Sequence, residues 1–240
     1  MTMRRVALML LVIALSAPAV TAQHEQMVPK LYPVKWRTPE EIARLLDGFA
    51  PRITASSMQT ITVVANEQTH VAIAELIRKY DVPAKTIDFQ FYLIKASAAG
   101  EGIKDGVPDK IRRVIGDIAA LTRYRSFELL DAPTVRATEG RNVTVSGKGV
   151  YFYTLSIAGR GTSVVTTEKS RQIQVGEFHV SFSVPTGSME GKSMFRDVGV
   201  ATSFNIQDGE TLVVGASHIR DDPKETGSAI ITVVTGKVIG

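Results

Sequence analysis

The stretch KLYPVKWRTPEEIARLLDGF, residues 30–49, reads as a strand followed by a helix. The same order returns in ITVVANEQTHVAIAELIRKYDVPAKTIDFQFYLIKAS, residues 61–97, where a second helix leads into another apolar strand. Two such rounds fill about 65 residues, the size of one small α/β module. No residue of the segment belongs to a catalytic pattern, so the sequence points to a role in assembly.

A capping box marks the start of the first helix. Thr38 and Glu41 stand three residues apart, and Pro39 occupies the first helical position, where its missing N–H costs nothing. The apolar residues that follow are spaced to form one stripe: Ile42, Leu45, Leu46 and Phe49. The pattern therefore predicts an amphipathic helix packed on a sheet.

The second helix has its own start and stop signals. Asn66 is a favoured cap, and Pro83 prevents continuation beyond Asp81. Its apolar stripe consists of Ile73, Leu76, Ile77 and Tyr80. The strand that follows alternates strictly, with one face formed by Ile87, Phe89, Phe91 and Leu93. We expect this strand to complete the sheet of the module, with both helices on one side.

The rest of the chain is predicted to be rich in strands. A helix is expected from Pro108 to Thr122, with an apolar face formed by Ile111, Val114, Ile115 and Ile118. From Phe127 onward the alternation predicts a curved sheet or a sandwich. The apolar runs 211–214 and 230–234 are typical of strands covered on both faces, so we expect them to lie centrally. Residues 185–194, rich in Gly and Ser, predict a loop.

The order and spacing of these elements resemble bacterial secretins, which form the outer-membrane rings of secretion systems and type IV pili. In the first segment the matching parts are Leu31–Val34, Thr38–Phe49, Ile61–Ala65 with Asn66, and Ile77–Pro83 leading into Ile87–Leu93. Near the middle and end, FELLDAPTVRATEGRNVTVSG (127–147), GVATSFNIQDGETLVVGASHI (199–219) and AIITVVTGKVI (229–239) are similar to the β-rich core domain of the family. The resemblance implies a ring-building module followed by a core domain.

The chain differs from the family between those blocks. Secretins carry long extra hairpins there, which build the gate and the membrane-inserted wall, whereas only Lys148–Asp197 is available here. One stretch, Gly149–Ile157, is long enough for a transmembrane strand. Its candidate lipid-facing residues are Tyr151, Tyr153, Leu155 and Ile157. We interpret this stretch as an ordinary packed hairpin and do not expect membrane insertion.

Composition and the amino terminus indicate an exported globular protein. The 240 residues are 44% hydrophobic and 22% charged, enough for one or two globular domains. Arg4 and Arg5 precede the apolar run Val6–Ala17, and small residues precede Gln23, so residues 1–22 are predicted to be a secretory signal peptide. We expect release into the periplasm, with an association with the outer membrane left open.

Charge and cysteine content argue against a nucleic-acid-binding protein and against a disulfide-stabilised one. The formal net charge is only +4, and no basic stripe alternates with aromatic residues, so a nucleic-acid partner is not expected. The chain has no cysteine, so no disulfide stabilises it and buried apolar area must do so.

The sequence also gives no catalytic or ligand-binding pattern. The four histidines lie far apart and are each expected at the surface: His24, His70, His179 and His218. Ser217 and His218 are adjacent on a predicted strand, so their side chains point to opposite faces. No glycine-rich loop leads into a helix in a phosphate-binding pattern. We therefore predict no catalytic residue, no metal site and no cofactor.

These observations give the predicted organisation. Residues 1–22 form the signal peptide, 28–97 a ring-building module, 98–107 a linker and 108–240 the core domain. The expected fold class is α+β, with a small two-helix module on a three-stranded sheet, followed by a helix and a mostly antiparallel β domain.

One functional hypothesis and one alternative remain. The hypothesis is a non-enzymatic assembly component that forms, with copies of itself or with a full-length secretin, the ring of a protein secretion or type IV pilus system. Exposed charges on the predicted helices are the expected subunit contacts: Glu40, Arg44, Arg78, Lys79, Arg112 and Arg113. The alternative is a soluble periplasmic module that binds a peptide, a pilin or a glycan without self-assembly, which the aromatic cluster Tyr151–Tyr153 favours.

Overall fold

The computed structural model describes residues 26–56, 58–189, 192–219 and 227–239. The predicted signal peptide lies outside the described residues. The chain divides into two compact units, one ending at Pro83 and the other beginning at Ala84. Each unit has its own sheets and its own apolar core.

The first unit contains two helices and three strands in its described part: β1 Val28–Pro33, α1 Pro39–Leu45, β2 Arg52–Ser56, β3 Thr60–Ala65 and α2 Glu67–Tyr80. The second unit contains one helix and eleven strands in its described part: β4 Thr86–Ser97, β5 Gly102–Ile103, α3 Asp109–Leu121, β6 Ser126–Asp131, β7 Thr134–Thr138, β8 Val143–Lys148, β9 Phe152–Ile157, β10 Ser163–Thr166, β11 Arg171–Met189, β12 Lys192–Gln207, β13 Thr211–Ile219 and β14 Ser228–Ile239. The protein is therefore α+β, with strands in the majority.

The first unit is a two-layer module. Its antiparallel sheet has the strand order β1-β3-β2. Alternate residues of the central strand, Ile61, Val63 and Ala65, are buried on one face. Both helices pack on that face, and their buried residues complete the core: Ile42, Leu46, Ile73 and Ile77. No helix of the described residues of this unit lies on the opposite face of the sheet.

The predicted helix caps are confirmed. The hydroxyl of Thr38 accepts the backbone N–H of Glu41 at 3.2 Å, and the carboxylate of Glu41 accepts the N–H of Thr38 at 3.0 Å. Asn66 Oδ1 accepts the N–H of Thr69 at 2.8 Å. These bonds satisfy donors that the first helical turns leave without partners.

The third strand of this sheet is not the predicted one. Arg52–Ser56 forms it, whereas the alternating stretch Ile87–Leu93 lies within β4 of the second unit. β4 pairs along its whole length with β14, from Thr86 opposite Ile239 to Ser97 opposite Ser228. Alternation shows which residues share a face but not which distant strand lies alongside. The expected module end at residue 97 is the last residue of β4, a strand that belongs to the second unit.

The second unit has three layers. Its larger sheet has the order β13-β14-β4-β6-β5, with β7 also paired to β4, and the second sheet has the order β10-β11-β9-β8, with β12 paired to β11. The two sheets enclose the main core, in which Phe91 and Phe178 stack with ring centroids 5.3 Å apart. The predicted helix α3 covers the outer face of the larger sheet with Ile111 and Ile115.

Two further expectations are corrected in the second unit. Residues 185–194 are not a loop in their described part, because β11 runs to Met189 and β12 begins at Lys192. Pairing such as Pro185 opposite Phe195 continues the ladder beyond the core. β14 lies inside the larger sheet as expected, but β13 forms its edge.

Candidate interaction surfaces

The six charged residues predicted as subunit contacts are all exposed: Glu40, Arg44, Arg78, Lys79, Arg112 and Arg113. Glu40 and Arg44 lie one turn apart on α1, and Arg78 and Lys79 lie in the last turn of α2. Arg112 is already engaged, since its Nε donates to Asp109 Oδ1 at 2.8 Å on the same helix. Exposure makes these residues available for contacts, and their role in assembly remains a prediction.

An apolar cleft lies in the helix layer of the first unit. It has a volume of about 160 Å³, and its lining residues come from both helices: Ile42, Leu45, Leu46, Phe49, Leu76 and Tyr80. Ile42 and Leu46 are buried at its base, but Leu45, Phe49 and Tyr80 are 51%, 52% and 41% exposed. The predicted apolar stripes are therefore only partly covered by the sheet.

The opposite surface of the first unit is the open face of its sheet. Strand pairing places the following residues on it: Pro29, Leu31, Pro33, Arg52, Thr54, Ser56, Thr60, Thr62 and Val64. Leu31 is 70% exposed at the middle of β1. Arg52 is the single charged residue among these strand positions. This face is consequently mostly uncharged and partly apolar.

One histidine is buried, contrary to the expectation for all four. His70 on α2 is 2% exposed and lies against β1. Its Nε2 lies 2.7 Å from the carbonyl oxygen of Val28, which can only accept, so Nε2 carries the proton. The Tyr32 hydroxyl lies 2.8 Å from Nδ1 and can donate to it. Because both ring nitrogens have protein partners, His70 ties the helix to the strand; His179 and His218 are exposed.

The outer face of the smaller sheet in the second unit is rich in hydroxyl groups. Thr144 and Ser146 on β8 and Thr154 and Ser156 on β9 point away from the core. A polar hollow of about 240 Å³ lies on this face, lined by Asn142, Thr144, Ser156, Ile157, Ala158 and Glu177. Asn142 Oδ1 accepts the N–H of Gly159 at 2.7 Å. The other polar side-chain groups of the hollow include the hydroxyls of Thr144 and Ser156 and the carboxylate of Glu177.

Exposed apolar residues gather at one end of the same sheet. Phe152 begins β9 opposite Ser183 of β11, and Phe195 lies opposite Pro185. Phe152 and Phe195 are 50% and 56% exposed, and Lys148 Nζ lies 4.9 Å from the centre of the Phe152 ring. By contrast, Tyr153, Leu155 and Ile157 are buried in the sandwich core. The face once considered for lipid contact is therefore packed against protein.

A hydrogen bond in this unit joins the β8–β9 hairpin to β6. The Tyr153 hydroxyl donates to Asp131 Oδ2 at 2.8 Å. Burial, the hydrogen bond to Asp131 and the negative charge of that carboxylate raise the pKa of Tyr153 to about 12. Gly147 faces the ring, and a Cβ at this position would lie 2.2 Å from the hydroxyl oxygen. The glycine is thus required for the hairpin to close over the tyrosine.

The raised pKa of Tyr153 predicts a dependence of stability on alkaline pH. The folded pKa of Tyr153 lies above its unfolded value of about 10. The protonated hydroxyl therefore contributes fully to folding stability below pH 10, and this contribution is lost as pH rises through about 12. Tyr153→Phe should lower the free energy of unfolding at pH 7 by about 1–2 kcal/mol. Urea unfolding from pH 7 to pH 11 should show the difference between wild type and variant shrinking at the alkaline end. A pH-independent difference would contradict the assignment.

Metal-ligating clusters and membrane-spanning helices were looked for among the described residues. No group of three or more His, Cys, Asp or Glu side chains within them could hold a metal ion. None of the helices in the described part is both long enough and apolar enough to cross a membrane. The surfaces that stand out are the apolar cleft, the open sheet face and the apolar end of the smaller sheet.

The sequence pattern does not predict which apolar residues are exposed or that they lie together on the surface. Leu45 and Phe49 were assigned to the buried stripe because they fall at helical spacing, but α1 ends at Leu45 and the sheet beneath it is narrow. Leu31 gave a usable signal, since it stands between Pro29 and Pro33 on a strand whose residues on the other side are half-buried. An apolar residue at the solvent position of such a strand suggests a contact surface.

The fold is similar to that of solved secretin structures. The type II secretin GspD from enteropathogenic Escherichia coli superposes over 88% of this chain and 87% of its own, with 11% identity and a TM-score of 0.52. The type IV competence pilus secretin PilQ from V. cholerae covers 98% of this chain and 83% of its own, with 10% identity and a TM-score of 0.51.

GspD from a pilotin–secretin complex of enterotoxigenic E. coli covers 98% of this chain, with 10% identity and a TM-score of 0.50, and the match spans 66% of that longer chain. No protein-family profile and no curated protein sequence matches this chain. The chain therefore has a secretin-like fold at a level of sequence identity that carries no residue-by-residue correspondence.

Proposed function

We propose that this chain is a non-enzymatic, exported component that forms, with copies of itself or with a full-length secretin, an oligomeric ring of a protein secretion or type IV pilus system. The observation that carries the proposal is the secretin-like fold, which extends over 88% of the chain in the comparison with GspD. The predicted signal peptide supports a site of action in the periplasm or at the outer membrane.

Open strand edges support assembly by repeated contacts. In the smaller sheet of the second unit, β8 pairs only with β9 and β12 only with β11 among the described residues. An unpaired edge presents backbone N–H and C=O groups that accept another strand. Because the two edges differ, pairing β8 of one copy with β12 of the next is a head-to-tail contact, which repeats around a ring.

Sedimentation velocity on the mature chain from Gln23 onward tests the proposal. At micromolar concentration and near-physiological salt we expect a multimer of defined size, visible as a closed ring in negative-stain images. The same protein should be retained by an immobilised full-length secretin if it joins an existing ring. A strict monomer that also fails to bind a secretin would contradict the proposal and would favour the soluble binding module.

Charge reversal tests the predicted contact residues. Arg78→Glu combined with Lys79→Glu should weaken self-association by about tenfold, because each exposed charge pair contributes roughly 0.2–1 kcal/mol and reversal adds repulsion. The matched control is Arg160→Glu with Lys169→Glu, which changes the net charge equally at two exposed positions of the second unit. If both double variants weaken self-association equally, the change in net charge explains the effect, and Arg78 and Lys79 are not specific contacts.

A further inference from the structure

The polar hollow on the outer face of the smaller sheet has side-chain groups without a partner in the protein. Among the described residues, the hydroxyls of Thr144 and Ser156 and the carboxylate of Glu177 make no hydrogen bond and no ion pair. Asn142 is fixed by the bond that its Oδ1 accepts from Gly159, and the N–H donors of its amide remain available. The hollow therefore presents hydrogen-bond donors and acceptors side by side.

A β-bulge places the carboxylate at the hollow. The register of β11 on β12 shifts here, so Gly176 and Glu177 both lie opposite Ser203. A bulge of this kind redirects side chains and is over-represented beside functional sites. The backbone carbonyl of Glu177 accepts the N–H of Ala158 at 3.0 Å, which holds the bulge against the end of β9. The position of Glu177 at the hollow is thus set by the backbone.

Two glycines let the backbone close around the hollow. A Cβ at Gly159 would lie 2.3 Å from the backbone nitrogen of Arg141, and a Cβ at Gly176 would lie 2.9 Å from the Cα of Gly161. Both distances are shorter than real Cβ contacts, so a larger residue at either position would displace the turn at 158–161. The hollow is consequently bounded by closely packed backbone.

The lining argues against anionic and apolar ligands. Of the residues that line the hollow, only Glu177 is formally charged, and it repels a phosphate or a carboxylate. The side chain of Ile157 is buried in the sandwich core, so little apolar surface is left to cover. The volume of about 240 Å³ lies just below the range of about 300–1,000 Å³ for drug-sized ligands, which suits a single small ring.

The donors and acceptors match a neutral saccharide. Ionised Glu177 only accepts, and two neighbouring hydroxyls of a sugar ring can both donate to it. The amide of Asn142 donates, whereas the hydroxyls of Thr144 and Ser156 donate or accept, as sugar hydroxyls do. Peptides are usually held by apolar pockets or by an added strand, and the hollow itself offers neither.

Further contacts continue along the sheet from the hollow. The hydroxyls of Ser146 and Thr154 lie on the same face, 3.2 Å from each other. Phe152 stands four residues from Ser156, about 14 Å along β9. Its ring is 50% exposed, although Lys148 Nζ lies 4.9 Å from the ring centre. The C–H face of another sugar ring can pack on this aromatic surface.

We propose that the polar hollow holds one sugar ring of a neutral oligosaccharide and that the face from the hollow to Phe152 holds the next rings. All of these residues belong to one copy of the chain, so binding does not depend on the ring function proposed above. The ligand is recognised through its hydroxyl groups, a chemistry that a free oligosaccharide shares with a glycan polymer.

Saturation-transfer NMR on the mature chain tests the proposal, because it observes the ligand and works with a monomer or a ring. The neutral trisaccharides triacetylchitotriose and cellotriose should bind with dissociation constants on the order of 1 mM. Trigalacturonate, with a carboxylate on each ring, should bind at least about tenfold more weakly. No transfer to either neutral trisaccharide would overturn the proposal, and binding of trilysine alone would assign the hollow to a basic peptide instead.

Glu177→Ala should weaken the binding of both neutral trisaccharides about tenfold, because hydrogen bonds to a charged group are lost. Glu168→Ala is the matched control, since Glu168 is an exposed carboxylate of the same unit that does not line the hollow. The unfolding midpoint should stay at the wild-type value in both variants, as neither side chain has a partner among the described residues. Equal weakening by the two variants would contradict binding at the hollow.

Glu177→Gln separates the charge from the shape of the hollow. Its amide oxygen still accepts hydrogen bonds, but the repulsion of anions is gone, so trigalacturonate should bind about fivefold or more tighter than to the wild type. Continued exclusion of trigalacturonate would overturn the role of Glu177 in selecting a neutral ligand.

Phe152→Ala and insoluble chitin test how far the ligand extends. Phe152→Ala should weaken the binding of triacetylchitotriose about threefold or more and leave the binding of N-acetylglucosamine unchanged, because a single ring fills only the hollow. Co-sedimentation of the mature chain with chitin would identify a glycan polymer as the source, whereas binding of soluble trisaccharides alone would identify a free oligosaccharide. An equal loss for the single ring and the trisaccharide would contradict the extended face.

Discussion

Phe178→Ala should lower the free energy of unfolding of the second unit by about 3–5 kcal/mol, the usual range for removing a buried aromatic side chain. Phe178 is fully buried between the two sheets, stacked on Phe91 at 5.3 Å and edge-on to Phe204 at 5.8 Å. Alanine would leave a cavity where both sheets contribute side chains, and the long β11 strand cannot shift to fill it because pairing on both sides fixes its position.

Urea unfolding followed by far-ultraviolet circular dichroism measures this loss, since the second unit contains most of the strands. Phe152→Ala is the matched control, because Phe152 belongs to the same sheet but is 50% exposed. Its loss should stay below about 1 kcal/mol, mainly from the contact with Lys148. Equal losses for the two phenylalanines would contradict the packing of the two sheets on each other.

Asp81→Ala should lower the free energy of unfolding of the first unit by about 2–3 kcal/mol. The Asp81 carboxylate follows α2 and accepts three backbone N–H groups from the β1–α1 loop: Lys35 at 2.7 Å, Trp36 at 2.8 Å and Arg37 at 2.9 Å. Hydrogen bonds to a carboxylate contribute about 1.5–3 kcal/mol each, and we expect less than their sum because this loop is partly solvated. In a module this small, the loss is a large part of the total stability.

The fluorescence of Trp36, the one tryptophan of the chain, reports unfolding at this loop. Asp47→Ala is the control, as Asp47 is an exposed carboxylate of the same unit and should change stability by less than about 0.5 kcal/mol. Asp81→Asn should recover part of the loss, because its side-chain oxygen still accepts hydrogen bonds without the charge. A loss below that of Asp47→Ala would refute the role of Asp81 as the anchor of the loop.

Acid pH should reproduce part of the Asp81 effect. Burial by itself would raise the pKa of the Asp81 carboxyl, but the backbone donors of Lys35, Arg37 and Trp36, together with the charge of Arg37, outweigh it and hold the pKa below its ordinary value. Because the pKa is lower in the folded state, the ionised Asp81 carboxylate contributes fully to folding stability above its unfolded pKa of about 4. This contribution is lost as pH falls through the folded-state pKa. The difference between wild type and Asp81→Ala should therefore shrink on acidification.

Local features of the fold were readable from the sequence because their causes lie within a few residues. The capping box of Thr38 and Glu41 and the Asn66 cap were predicted, and a helix was expected from Pro108 to Thr122, where the structure has one from Asp109 to Leu121. Each of these features depends on contacts three or four residues apart. The alternation of Ile87, Phe89, Phe91 and Leu93 also reported a shared buried face correctly.

Features that depend on residues distant in the sequence could not be predicted from it. On one side β4 pairs with β14, more than 130 residues away along the chain, and no local pattern distinguishes β14 from a strand of the first module. The 185–194 segment was expected to be a loop because Gly and Ser are common there, yet pairing between β11 and β12 holds its described part extended. The burial of His70 required Val28 and Tyr32 to lie beside it.

The sequence by itself determined where helices begin, which residues alternate along each strand, and the secretin-like order of elements, because backbone geometry and neighbouring side chains fix these features. The end of α1 was not determined in this way, since the helix was expected to reach Phe49 and ends at Leu45. The tertiary structure alone decided which strands pair and which apolar residues remain exposed. Leu31 and Phe49 follow the same periodicity rules as buried residues, and only the number of layers around them determines whether solvent or a neighbour covers them. That is why the predicted contacts were charged residues on helices, whereas the folded module presents an apolar cleft and an open sheet face.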